Sequence, residues 1–186
     1  MAGLRHACGD YLFEKELELV KVNLTDAKSV DKAVEGCQYV VHIASPCPAH
    51  MPSKAEEELL IKTAVEGTLH VLKSAHKHKV KRVVLTSSTA AVIDRSNRTK
   101  GRIITEAEWA NEETTENSYS KSKILQEKAA WKYWNSLPEE GRFELVVLNP
   151  GNMFGPAFKK EEFASANIIR AIVTWSRIFG FPQIYY

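Results

Sequence analysis

The sequence predicts an α/β domain built on a parallel sheet, and two observations predict it. Apolar runs of strand length, YVVHIA at Tyr39–Ala44, RVVLTS at Arg82–Ser87 and FELVVLN at Phe143–Asn149, alternate with longer stretches of helical periodicity. Those runs are nearly continuous rather than alternating apolar with polar, as strands covered on both faces are.

The elements follow in order. LELVKVN, residues 17–23, reads as a short strand, and TDAKSVDKAVEG after it as a helix closed by Gly36 at the C′ position. After the Tyr39–Ala44 strand, the prolines of SPCPAHMPS mark a loop. From about Ala55 to Lys79, Leu60, Ala64, Val71 and Ala75 recur at helical spacing, with Ile61, Val65, Leu69 and Leu72 beside them, giving a long helix with a wide apolar stripe. Glu56, Glu57 and Glu58 form a solvated first turn that suits the helix dipole. Beyond the Arg82–Ser87 strand, the polar stretch Asp94–Thr115 is a surface excursion. Tyr119–Trp134 is the next helix, Phe143–Asn149 the next strand, and a last helical pattern covers roughly Glu161–Phe179.

Composition sets limits on function. The 186 residues are 44% hydrophobic and 26% charged, ordinary for a globular chain rather than a disordered one. A net charge of +2 with no Lys/Arg cluster argues against nucleic acid or an anionic membrane as partner. No apolar run reaches membrane-spanning length and the N-terminus lacks a signal pattern. Cys8, Cys37 and Cys47 form neither a CxxC pair nor a metal spacing, so a reduced, cytoplasmic setting is expected and a metal site is not. His42 reads as a core histidine, His76 and His78 diverge on their helix, and Trp131, Tyr133 and Trp134 read as packing.

Chemistry enters at Tyr119 and Lys123. Four residues apart on a helix, they share one face with about 5–6 Å between Cβ atoms. A cation that close stabilises the phenolate, so the tyrosine pKa is expected to fall toward working pH. The spacing alone is common on solvated helices; its surroundings give it weight. Ligands of a parallel sheet sit at the carboxyl ends of its strands. There the last three strands end in Ala44-Ser45-Pro46, Thr86-Ser87-Ser88 and Asn149-Pro150-Gly151, with the Tyr-Lys helix lying between the last two.

VNLTD, GCQYVVHIASP, AVEGTLHVLKSA, KRVVLTSSTAAV, TEAEWA, YSKSKILQEKAAW and NPGNMFGP occur in that order along nearly the whole chain. Together they resemble the extended short-chain dehydrogenase/reductases near dihydroflavonol reductase and cinnamoyl-CoA reductase. The resemblance implies a Rossmann-type doubly wound parallel sheet and hydride transfer from NADPH, in preference to NADH, to a small-molecule carbonyl. Tyr119 would be the general acid/base, Lys123 would lower its pKa and hold the nicotinamide ribose, and Ser88 would hydrogen-bond the substrate oxygen. Ser87 is the neighbouring alternative, but adjacent strand residues face opposite ways. Pro150 and the backbone after it, with Asn152, would flank the nicotinamide. Ala44 and Ser45 would line the cofactor groove, and Asn23 with Leu24 would sit by the adenine. Relatives commonly carry Asp where Asn23 stands; Asn keeps an acceptor oxygen and loses the charge. A homodimer through the Tyr-Lys helix and the long helix before it is a further implication.

The match departs from its relatives at both ends. The early glycines Gly3, Gly9 and Gly36 do not form a GxxGxxG turn, whose helix N-terminus holds the pyrophosphate. Residues 1–156 therefore read as a partial dinucleotide-binding part, its first two strands and glycine turn absent, and residues 157–186 as the start of a substrate-binding part. In the 3-2-1-4 strand order the absent pair lies between residues 17–23 and Tyr39–Ala44. Two other readings share these motifs: a 3β-hydroxysteroid dehydrogenase or nucleotide-sugar epimerase/dehydratase, and a catalytically silent fragment acting as a binding partner.

Overall fold

The computed structural model describes residues 2–47, 52–94, 101, 103–115, 117–155, 169–170 and 172–174. They fall into two units, one comprising Met1–Leu19 with Asn152–Tyr186 and the other Val20–Gly151. The first contains helix α1, Ala2–Tyr11, interrupted at Gly9 where φ is +78°, and a π-helical turn at Leu12–Glu16. Arg5 bridges Asp10 at 3.5 Å and Glu14 at 3.1 Å there. The pattern at Glu161–Phe179 lies largely outside the described residues; within it, 169–170 and 172–174 are helical.

The second unit carries the sheet. Helix α2, Ala27–Val34, is capped by the Asp26 carboxylate, which accepts from Lys28 N, and Gly36 follows at φ +78° as expected of a C′ glycine. Strand β1 is Tyr39–His42. Helix α3, Lys54–Lys77, opens with a reciprocal capping box between Ser53 and Glu56. Its end is tied to α2 by Asp31, which accepts from Lys77 Nζ at 2.5 Å and contacts His78 Nε2 at 3.0 Å. Strand β2 is Arg82–Thr86, helix α4 is Ser118–Ser136 with Asn117 as its cap, and strand β3 is Glu144–Leu148. A short 3-10 turn at Thr89–Ala91 follows β2.

The three strands are parallel in the order β1-β2-β3, with Tyr39 opposite Arg82 and Arg82 opposite Glu144. This is the parallel, Rossmann-like sheet the apolar runs predict. One face forms the core: Val83, Leu85 and Leu145 pack with Val71, Leu72 and Ala75 of α3 and with Val30 and Val34 of α2. Trp131 and Trp134 close its rim edge-to-face at 5.7 Å, and Trp134 Nε1 donates to the Phe143 carbonyl at 2.7 Å. On the opposite face, Val41 and Ile43 remain 62% and 68% exposed.

Residues 17–23 do not form the expected strand. Leu17, Leu19, Val20 and Val22 are all exposed. A strand exists by its ladder hydrogen bonds, and no described strand lies beside this segment to supply them. Its β-branched alternation has no partner to act on. Further along, Leu24 packs so closely on α3 that a Cβ at Gly67 would stand 2.9 Å from the Leu24 Cβ, which accounts for glycine there.

Candidate active site

Because all three strands run the same way, their carboxyl ends meet at one edge. There Ser87 N donates to the Leu148 carbonyl at 2.8 Å and Thr89 N to the Pro150 carbonyl at 3.0 Å, holding the β2 and β3 exits together. Helix α4 passes beside them. Its first turns bring Tyr119 beside Ser88, near enough for the serine side chain to act on the phenol's pKa. Ser88 Oγ also accepts from Ala90 N at 3.1 Å. Of the two serines after Thr86, Ser88 is thus the one beside Tyr119. Ser87 Oγ is buried with no partner among the described residues.

Lys123 is 3% exposed. Its ammonium lies 5.9 Å from the Tyr119 ring centroid and donates to the Thr86 carbonyl at 3.2 Å and to Gln126 Oε1 at 3.1 Å. Burial pushes its pKa down, with Cys47 and Glu127 pulling it back up. The Tyr119 pKa is raised, opposite to the expectation from the i,i+4 spacing. Burial dominates, the neighbouring Ser88 side chain acts against it, and Cys47 adds a smaller upward push. The spacing fixes the approach of the two side chains, whereas the phenolate would be desolvated and the ammonium is already engaged by Thr86 and Gln126.

Several participants escaped sequence reading. Gln126, 1% exposed, donates through Nε2 to Thr68 Oγ1 at 2.7 Å, and Thr68 Oγ1 lies 3.2 Å from His42 Nε2. Glu127, 4% exposed, accepts from Asn149 Nδ2 at 2.7 Å, and the same amide donates to the Ser88 carbonyl at 3.1 Å. Glu127 thereby fastens the ends of β2 and β3 to α4. Their signal was helical spacing: Gln126 and Glu127 stand three and four residues beyond Lys123, on its face. His42 is the satisfied core histidine expected, held neutral because burial and the Lys123 charge push its pKa down to about 4.

The remaining expected residues distribute as follows. Leu24 and Ala44 line one groove of about 520 Å³, with Val22, Val41 and Ile43. Ser45 Oγ, next in the chain, is buried without a partner among the described residues. Asn23 Oδ1 is taken up locally, accepting from Thr25 N at 3.1 Å and Thr25 Oγ1 at 2.9 Å, while the Leu24 carbonyl accepts from His70 Nδ1 at 2.8 Å. Pro150 lies at the β3 exit, and Asn152 falls in the other unit. No helix among the described residues is long and apolar enough to cross a membrane.

A parallel sheet with Ser, Tyr and Lys gathered at its carboxyl edge defines a short-chain dehydrogenase/reductase type of site, and the chain belongs to the NAD-dependent epimerase/dehydratase family, which it matches over residues 3–175. Within it the similarity is to reductases. It is 33% identical over 166 residues to the (2S)-flavan-3-ol-forming anthocyanidin reductase of Vitis vinifera, covering 86% of this chain and 47% of that protein. To cinnamoyl-CoA reductase 1 of Arabidopsis thaliana it is 34% identical over 166 residues, covering 88% and 45%. The yeast methylglyoxal/isovaleraldehyde reductase Gre2 complexed with NADPH superposes with a TM-score of 0.77 at 28% identity, covering 97% of this chain and 57% of that one. The chain spans about half the length of the curated relatives it matches.

Proposed function

We propose that this chain carries the catalytic edge of an NADPH-dependent reductase acting on a small-molecule ketone, aldehyde or thioester carbonyl. The observation that supports it most is the Ser88–Tyr119–Lys123 cluster at the sheet's carboxyl edge. The nicotinamide, when bound, supplies the hydride. Ser88 hydrogen-bonds the carbonyl oxygen and Tyr119 gives its proton to the alkoxide that develops there. Lys123 stays charged beside Tyr119 and stabilises the phenolate left behind.

Two features of the chain suit the nicotinamide-ribose end of the cofactor. Lys123 has three N–H donors and, among the described residues, two acceptors, which suits a third bond to a ribose hydroxyl. Ser45 Oγ, next to Ala44 of the groove, is buried with no partner among the described residues, as a site for a ligand hydroxyl would be. Pro150 would flank the nicotinamide, Ala44 would line the groove, and Asn23 with Leu24 would lie toward the adenine. The pyrophosphate end has no glycine-rich turn in this sequence.

Fluorescence titration with NADPH and NADH, on this chain and on one carrying a glycine-rich strand–turn–helix unit at its N-terminus, tests the reading. The extended chain is expected to bind, NADPH more tightly than NADH. If it binds neither dinucleotide, the assignment fails.

The free thiols of Cys37 and Cys47 suit a reducing, cytoplasmic location. A homodimer through α3 and α4 is part of the same reading. Their outer faces form a groove of about 580 Å³ floored by Ile61, Val65, Leu125 and Ala129, with Glu58 and Glu66 on α3 and Lys128 and Lys132 on α4. Charges of both signs suit a two-fold contact. Sedimentation equilibrium is expected to give a dimer that Ala129→Glu converts to monomer; a wild-type monomer at tens of micromolar excludes this interface.

A further inference from the structure

We infer that Gln126 is a positioning residue for Lys123, and that Thr68 fixes which end of the Gln126 amide the ammonium meets. The inference deepens the reductase reading and rests on it for its catalytic meaning. Of the two acceptors of Lys123 among the described residues, the Thr86 carbonyl belongs to the sheet and would be there with any side chain. The other, Gln126 Oε1, is a choice of side chain.

An amide can face a cation usefully only with its oxygen. Rotated by half a turn, Gln126 would present N–H donors to an ammonium that has only donors. Thr68 opposes that rotation through the proton it gives to neutral His42 Nε2, which leaves its Oγ1 to accept from Gln126 Nε2 at 2.7 Å. Thr68 is in turn fixed on the other side by His42 Nε2 at 3.2 Å. Thr68, Gln126 and His42 are 0%, 1% and 6% exposed, so water does not compete for these groups. The chain His42–Thr68–Gln126–Lys123 thus joins β1, α3 and α4 and ends on the ammonium nearest Tyr119. A hydrogen bond to a charged, buried donor is among the stronger ones, and its loss leaves an ammonium short of a partner.

The group invoked is the Lys123 amine, and the ionisable groups around it are Tyr119 and Glu127 on α4, His42 on β1 and Cys47 beyond it. Changing Gln126 removes none of them; Thr68→Val takes away the contact of His42 Nε2, but His42, with its pKa near 4, stays neutral across the range in which the Lys123 amine titrates. The test is the pH titration of the Lys123 13Cε resonance, assigned with Lys123→Arg, in the chain without nucleotide. Gln126→Leu is expected to move its midpoint down by about one pH unit, the equivalent of losing one charge-assisted hydrogen bond. Gln126→Glu, which keeps the acceptor and adds charge, should move it up. Thr68→Val should move it down by less. A purely structural role for Gln126 would lower the melting temperature and leave the midpoint alone. Unmoved midpoints in Gln126→Glu and Thr68→Val overturn the inference, even where Gln126→Leu does not fold. Because the titration needs no cofactor, failure of NADPH to bind the extended chain would sink the reductase reading and leave this result standing.

Discussion

Tyr119→Phe is expected to lower carbonyl reduction by about 10²–10⁴-fold, the range associated with a positioned proton donor, with little change in NADPH affinity. The phenol is the group placed to protonate the alkoxide, lying beside Ser88 and 5.9 Å by ring centroid from the Lys123 ammonium. Phenylalanine keeps the ring and its packing and removes only the hydroxyl. Steady-state turnover of an aldehyde substrate and dinucleotide titration, both on the chain carrying the glycine-rich unit, separate the two effects. Loss of binding along with turnover would assign Tyr119 to cofactor retention rather than proton transfer. Because burial holds the Tyr119 pKa above its ordinary value, the phenol is protonated throughout the neutral range. The reduction rate should accordingly stay flat from pH 6 to 8 and fall only in alkali. A wild-type rate that already declines across neutrality would mean that ligands restore the depression the i,i+4 spacing predicts.

What the sequence made legible follows from the range of each interaction. The strands at Tyr39, Arg82 and Glu144 and the helices α2, α3 and α4 were readable because periodicity, caps and the C′ glycine at Gly36 act within a few residues. The Ser88–Tyr119–Lys123 grouping was readable because parallel strands put their exits on one edge. Residues 17–23 were misread because β-propensity expresses fit to neighbouring strands, and none of the described strands is beside them. The direction of the Tyr119 pKa was misread because spacing reveals a nearby cation but not burial, nor the acceptors that engage it. Those acceptors come from far away in sequence: Thr86 is 37 residues from Lys123, and Thr68 is 58 from Gln126. Nothing local to Gln126 announces that its amide is aimed.

The same buried chain gives the fold a marked acid sensitivity, expected between pH 6.5 and 4. His42 has an ordinary pKa of 6.5 when unfolded and about 4 in the folded chain, chiefly through burial and secondarily through the Lys123 charge. In that window the unfolded state binds a proton that the folded state refuses, so stability rises with pH there and is lost as pH falls. The His42 contribution is fully present above pH 6.5 and gone below pH 4. At 1.36 kcal/mol per pH unit, the difference between those two values corresponds to roughly 3 kcal/mol. Asp31, whose pKa is lowered by its hydrogen bond from Lys77, acts in a separate window below its ordinary 3.8. Urea midpoints measured from pH 4 to 7 should therefore climb steadily in the wild type and be nearly level in His42→Gln, which keeps a polar group near Thr68 without a titrating one. A variant that retains the full climb would locate the sensitive proton elsewhere. Below the folded pKa, the imidazolium and the Lys123 ammonium would be two cations at the two ends of the chain through Thr68 and Gln126, and their repulsion adds to the cost of protonating His42 in the folded state.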